Sequence, residues 1–304
     1  MIAIGFYYIV RLISKYVLVI CLYLALTNVA HAKPEQFTLA YLKTGLSELT
    51  DTNRRVGLKL LVNELIQDDT VRQTIQPVDS LAGLQHLIIR SDVDYIFINS
   101  YHYISHYDFF KQHLKQPIWA IQRGTERREN YIIVTRKRYA GQSLHQLRGK
   151  NISLYQPYLL VKLYLDYLIK QSDNQNSTQF FSKIKYTKTA SQPILDVFFG
   201  KSDLCIVQQH IFDLAVDLNP AILKELTIIH ESGHLFFPAL AFSLKQADSL
   251  YITTVNQGLS NFEENIRGEQ ILEMLGLHKI IPIQAEQLQP MYHIYQAFHG
   301  LDAQ

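Results

Sequence analysis

Two histidine pairs at four-residue spacing are the places in this 304-residue chain where residue types and spacing could do chemistry. His230-Glu231-Ser232-Gly233-His234 matches H-E-x-x-H, in which one helix face presents two zinc-binding imidazoles and a general base. That chemistry needs a helix, because only helical spacing brings residues i and i+4 to one ion. The neighbours oppose a helix: Thr227-Ile228-Ile229 is β-branched, Gly233 interrupts the motif and Pro238 follows it. A third ligand would have to be Glu263 or Glu264. The leading expectation is a strand end running into a loop; a zinc-dependent hydrolase using His230, Glu231 and His234 is the alternative. His102 and His106 form the second pair, read either as a metal pair or, more simply, as one cleft histidine and one surface histidine. Cys205 lies in the apolar run 204–207 and reads as a small core residue, not a nucleophile.

The elements that must position these residues alternate between strand and helix patterns, which indicates an α/β fold. Gln36–Leu42 reads as a first strand, 52–67 as a helix with Val56, Leu60, Leu61 and Leu65 at helical spacing, and 70–78 as a second strand. Ser80 caps a helix through Ile89, 93–98 is a third strand, and a helix begins near Ser100. A second unit starts after Arg136. It has a short helix at 144–148 with a glycine stop, a strand at Asn151–Tyr155, a helix over 157–171 and a polar loop at 172–178. Strand 184–187, helix 192–199, strand 204–207, helix 211–216 and strand 226–230 complete that unit. Ala239–Leu244 is a return strand, and the last helices run over 250–275.

Residues 1–32 read as an export signal. Arg11 and Lys15 are their only charges, an apolar run of about 11 residues covers 16–26, and Ala30-His31-Ala32 supplies a small-x-small cleavage pattern. The run is short of the ~20 residues that span a bilayer; an uncleaved N-terminal anchor is the other reading. Ile20 before Cys21 is too bulky for a lipoprotein site. After removal of that segment Cys205 is the remaining cysteine, so no intramolecular disulfide forms. The chain carries 29 basic and 27 acidic residues, and without Arg11 and Lys15 the two signs balance. A balanced chain lacks the basic field that a nucleic-acid binder needs. The locally basic stretch 123–138 is interrupted by Glu126 and Glu129 and reads as a solvated hinge-side surface. The 19 tyrosines suit a cleft for a small organic molecule, since each offers an apolar ring and a hydroxyl.

Three segments resemble the phosphonate-type periplasmic substrate-binding proteins of ABC transporters, which have the type II periplasmic binding fold. The first is Leu81-Ala82-Gly83-Leu84 with Ser91-Asp92-Val93-Asp94-Tyr95-Ile96-Phe97. The second is Tyr131-Ile132-Ile133-Val134-Thr135-Arg136-Lys137 with Ser143-Leu144-His145-Gln146-Leu147-Arg148-Gly149-Lys150. The third is Phe199-Gly200-Lys201-Ser202-Asp203-Leu204-Cys205-Ile206-Val207, followed by the strand that ends in Glu231-Ser232. The resemblance implies a two-lobed α/β protein, each lobe a doubly wound, mostly parallel sheet, joined by two crossing hinge strands at 131–135 and Ala239–Leu244. Lobe one would be 33–135 with 239–304, and lobe two 136–238.

It also implies a monomeric, periplasmic solute-binding protein without cofactor or catalysis. Such a protein would hold a small polar organic or anionic ligand between its lobes and meet a membrane permease or sensor. The cleft of this fold lies at strand ends, which offers Tyr41, Lys43, Ser100, Tyr101 and His102 from lobe one. Lobe two would offer Tyr155, Gln156, Tyr158, Ser191, Gln192 and Gln208. Ser191 serves equally as a helix cap. One departure stands out. The family's Ser/Thr/Gly-rich anion cradle is replaced by Tyr155-Gln156-Pro157-Tyr158, which weakens the case for a phosphonate ligand.

Overall fold

The computed structural model describes residues 35–43, 49–124, 126–156, 158–247 and 249–300. The export signal, with Arg11, Lys15 and Ala30-His31-Ala32, lies outside the described residues, as does Pro157. The first unit contains β1 (Gln36–Leu42), α1 (Asp51–Leu65), β2 (Arg72–Val78), α2 (Leu81–Ile89), β3 (Tyr95–Asn99), α3 (Ser100–Ser105), α4 (Tyr107–His113) and β4 (Leu114–Gln122). The chain then crosses to β5 (Glu129–Arg136), β6 (Asn151–Tyr155), α5 (Leu159–Asp173), α6 (Ser177–Phe180), β7 (Lys183–Thr187), α7 (Gln192–Phe198), β8 (Leu204–Gln208), α8 (Gln209–Leu218), α9 (Ala221–Glu225) and β9 (Leu226–Phe236). It returns through β10 (Ala239–Leu244), α10 (Tyr251–Ser260), α11 (Ile266–Met274), β11 (Lys279–Ile283) and α12 (Gln289–His299).

Two sheets result. The first has six strands in the order β11-β4-β10-β3-β1-β2, and the second five in the order β7-β6-β8-β5-β9. In each, three strands are parallel: β2, β1 and β3 in the first, β7, β6 and β8 in the second. The strands that pair antiparallel are those entering and leaving each sheet at the crossings, and β11. Sequence alternation sorts side chains to the two faces. On β1, Phe37 and Leu39 pack with Leu58 and Leu61 of α1, whereas Ala40 and Leu42 enter a second core. On β5, Ile132 and Val134 face Ile194 and Phe212, whereas Tyr131 and Ile133 join that same second core. This core runs continuously from Ile98 and Leu240 in one sheet to Leu154 and Tyr164 beside the other, so apolar packing joins the lobes.

The crossings differ from expectation. Residues 131–135 pair with both β8 and β9, so they form the interior of the second sheet rather than a hinge. The outgoing crossing is 123–128, and the return is Phe237-Pro238 ahead of β10. Elements also stand where no strand or helix was expected, among them α6, α9, β4, β11 and α12. The last ties the lobes together. Tyr292 stacks on Tyr107 of α4 at 4.3 Å between ring centres, and Lys170 of α5 donates to the carbonyls of Ala297 and Phe298. The lysine thus satisfies carbonyls left open at the helix end and complements its dipole.

Candidate functional site

The outgoing crossing places a charge at each end of itself. Arg123 follows the last residue of β4 and Glu129 opens β5; their side chains are 6% and 2% exposed and approach to 3.8 Å, Nη1 to Oε1. The Arg123 Nη1 also donates to the Tyr158 hydroxyl at 3.2 Å, and its guanidinium lies 5.9 Å from the centre of that ring. Tyr131 lies two residues beyond Glu129, hence on the same face of β5. Burial, reinforced by the Glu129 charge, holds its phenol far above the ordinary range. Asn99 at the end of β3, Leu159 and Leu160 at the start of α5, and Pro238 of the return crossing complete the lining. The lobes are closed here: the free space is about 10 Å3, on the scale of one water molecule. Arg123 and Glu129 also border a wider cavity of about 230 Å3, beside Arg128, Asn130, Gln209 and His210.

Of the residues expected to face the cleft, Ser100, Tyr158 and Gln208 lie at or beside this lining. Ser100 follows Asn99, is fully buried, and donates its backbone N–H to Pro238 O at 3.2 Å. Gln208 opposes Tyr131 across the β5–β8 ladder, so the two side chains share a face. Ser100 Oγ and Gln208 Nε2 are buried and have no hydrogen-bond partner among the described residues. Tyr155 meets Tyr158 edge to face at 4.8 Å. Tyr101 packs edge-on against Tyr295 of α12, and burial, then the charge of His106, lowers the pKa of His102.

The remaining candidates are turned elsewhere. Tyr41 is buried on the outer face of β1, where its hydroxyl donates to Asp51. Lys43 pairs with Asp79 at the surface, Gln156 is exposed, and Gln192 donates its amide to the buried Asp196. Ser191 sits at the N-cap position of α7 without making a side-chain cap.

The reading of 123–138 as solvated surface fails at its two key arginines. Arg123 is buried, and Arg136 donates to the carbonyls of Val197 and Phe198. Sequence reasoning also passed over Asn99, Glu129 and Tyr131. A usable signal existed: Arg123 and Glu129 each stand one polar residue away from the apolar run of a strand, where a charge must be buried with a partner or turned out.

The zinc reading fails on geometry. His230-Glu231-Ser232-Gly233-His234 lies entirely within β9, where residues four apart are separated by roughly 13 Å along the strand. His230 hydrogen-bonds the Tyr164 hydroxyl at 2.9 Å, and His234 meets Arg128 O at 3.1 Å. Ser232 instead ties the β5–β9 pair by accepting from the Tyr131 N–H at 2.8 Å. The other histidine pair is broken as well, because α3 stops at Ser105 and His106 has left helical geometry.

Two mixed sheets, each built around three parallel strands, crossed twice by the chain and closed on buried polar groups, define a two-lobed solute-binding protein. The chain belongs to the family described as "ABC transporter, phosphonate, periplasmic substrate-binding protein", whose profile matches residues 55–288. No curated protein matches this sequence. Solved structures share the fold at low identity. XAC2383 from Xanthomonas citri, bound to ATP, has a TM-score of 0.62 at 12% identity, covering 88% of this chain and 100% of that one. PhnD1 from Prochlorococcus marinus, in complex with methylphosphonate, has a TM-score of 0.58 at 14% identity, with 88% and 99% covered. A binding component of an ABC phosphonate transporter from Pseudomonas aeruginosa has a TM-score of 0.59 at 12% identity, with 89% and 88% covered. The family is periplasmic and supplies the substrate-binding component of a transporter. Among the described residues, no helix is long and apolar enough to cross a membrane.

Proposed function

We propose that this chain is an exported, non-catalytic monomer that captures a small acid-bearing polar solute between its lobes and delivers it to a membrane permease. The observation that carries the reading is a pair of buried polar atoms without hydrogen-bond partners among the described residues, Ser100 Oγ and Gln208 Nε2, whose neighbours Asn99 in sequence and Tyr131 across the ladder line the pocket with the buried Arg123. A buried group left without a hydrogen bond costs roughly 1–3 kcal/mol, a cost that a bound solute would offset. The first residues of α5, Leu159 and Leu160, line the same pocket, and no side chain caps that 15-residue helix. Its open N–H groups and positive dipole end favour an anionic group on the ligand.

Mass spectrometry of the small molecules released from the purified protein tests the reading directly. A stoichiometric acidic solute should be found, and adding it back should raise the melting temperature of stripped protein. Ser100→Ala and Gln208→Leu should each lower its affinity severalfold. A protein that releases no solute and shows no thermal shift across carboxylates, phosphonates, sulfonates and amino acids would reject it.

A further inference from the structure

We infer that Arg123 and Glu129 together select the ligand, and that it is a small amine-bearing carboxylate. Its carboxylate would take the Arg123 guanidinium and its ammonium the Glu129 carboxylate. The inference rests on the cleft reading above and narrows it to one chemical class.

The two residues terminate the same crossing, one at the end of β4 and one at the start of β5, so both are carried by the segment that must bend when the lobes separate. A buried ion pair is a poor stabiliser, because desolvating two charges cancels most of their attraction. A crossing that needed only rigidity would be built from apolar residues, as the return crossing Phe237-Pro238 is. At 3.8 Å the two groups compensate each other's charge at more than hydrogen-bond length, a spacing that a ligand can enter by exchanging partners.

The shape of the cationic group narrows the anion it takes. The turn where the family carries a hydroxyl- and amide-rich cradle here holds Tyr158, whose hydroxyl and ring orient Arg123. A planar, orientated guanidinium matches the two oxygens of a carboxylate. Charge balance then excludes simpler ligands. A lone anion at Arg123 would confront Glu129, and a lone cation at Glu129 would confront Arg123. Like charges held this close in a dry pocket are strongly disfavoured. A short zwitterion satisfies both groups at once.

Titration calorimetry on the purified protein tests this with glycine, β-alanine and 4-aminobutyrate as zwitterionic probes. Butyrate, n-butylamine and methylphosphonate serve as single-sign probes. At least one zwitterion should bind 30-fold or more tighter than every single-sign probe. Arg123→Gln should weaken it at least 100-fold. Glu129→Gln should weaken the zwitterion about tenfold while strengthening butyrate, an exchange of charge preference that a merely structural role would not produce. Should Arg123→Gln fail to fold, that exchange remains measurable in Glu129→Gln alone. The assignment is overturned if methylphosphonate or butyrate binds as tightly as the zwitterions, if no zwitterion binds, or if folded Glu129→Gln keeps the wild-type order of preference. The solute released from the purified protein then tells whether the cleft reading stands without it.

Discussion

The chain passes between its two sheets twice, and the passages are made of opposite materials. The return passage is Phe237-Pro238, two residues long. Phe237 is buried with its N–H directed at Met291 Sδ at 3.4 Å, and Pro238 O is held by the Ser100 N–H. The outgoing passage, 123–128, is six residues long, largely polar and in part exposed, with Gly124 in the left-handed region at φ +73°. The return passage is short and anchored at both residues, so it has little backbone freedom to absorb a change in lobe angle. Hinge motion in two-lobed proteins concentrates in the few residues that can change φ and ψ. The outgoing passage must therefore take up most of the rotation, and it is the one that carries Arg123 and Glu129. In this molecule one crossing is a pivot and the other is both joint and recognition element.

Breaking the pivot should have the largest effect. Phe237→Ala removes a buried ring from the core that joins the lobes and should cost about 3–5 kcal/mol in urea-induced unfolding. The outgoing passage answers differently to the same kind of test. Glu129→Leu leaves a buried guanidinium facing an apolar group and should cost about 3 kcal/mol, whereas Arg123→Met with Glu129→Leu should recover most of that loss. A double variant as unstable as the single one would mean that the pair stabilises the fold, and would remove the contrast between the crossings.

The pH dependence of stability sharpens the comparison further. Burial, and secondarily the Arg123 charge, pushes His210 down to about 4. The unfolded imidazole, near 6.5, therefore takes up its proton first as pH falls. Stability from this group is complete above about pH 6.5, declines between there and about pH 4, and changes no further below. His210→Gln should flatten that part of the urea-midpoint profile, while substitutions at the return passage should leave its slope in place.

These contrasts explain which parts of the molecule were legible in the sequence. Strands β1, β6 and β10 are read from it with the bounds the structure shows, because a buried strand writes a short, mostly apolar and uncharged segment between polar turns. Ser80 is legible as a cap because its side chain accepts from the Gly83 N–H, a local interaction. Strand β4 is not, since Lys115, Gln116 and Pro117 interrupt its pattern and only pairing with β10 and β11 settles it. The same limit governs the cleft. A residue's place at a strand end is local and readable, but where its side chain points is not. Tyr41 and Gln192 stand at the right elements and are claimed by Asp51 and Asp196. Arg123 looked like surface because neighbours 126–128 are charged, and its burial depends on Tyr158 and Glu129, 35 and 6 positions away.

The smallest predicted effect on stability separates a joint from a mere turn. Gly124 and Gly233 both have positive φ, +73° and +72°, and neither lacks room for a methyl group. A Cβ on Gly124 would meet only His210 Cβ, at an ordinary 3.5 Å, and one on Gly233 would meet nothing within 4 Å. Alanine at either site should therefore cost about 1 kcal/mol through backbone conformation alone, seen as a fall of about 2–4 °C in melting temperature. The two should part on ligand affinity. Gly233 lies within β9, outside both crossings, so Gly233→Ala should leave affinity unchanged. Gly124 sits between Arg123 and Glu129 in the passage that bends, and its left-handed conformation belongs to the closed arrangement. Gly124→Ala should disfavour closure by about the same 1 kcal/mol and weaken binding severalfold. Equal affinities in the two variants would place the bending elsewhere and return the outgoing passage to the rank of a loop.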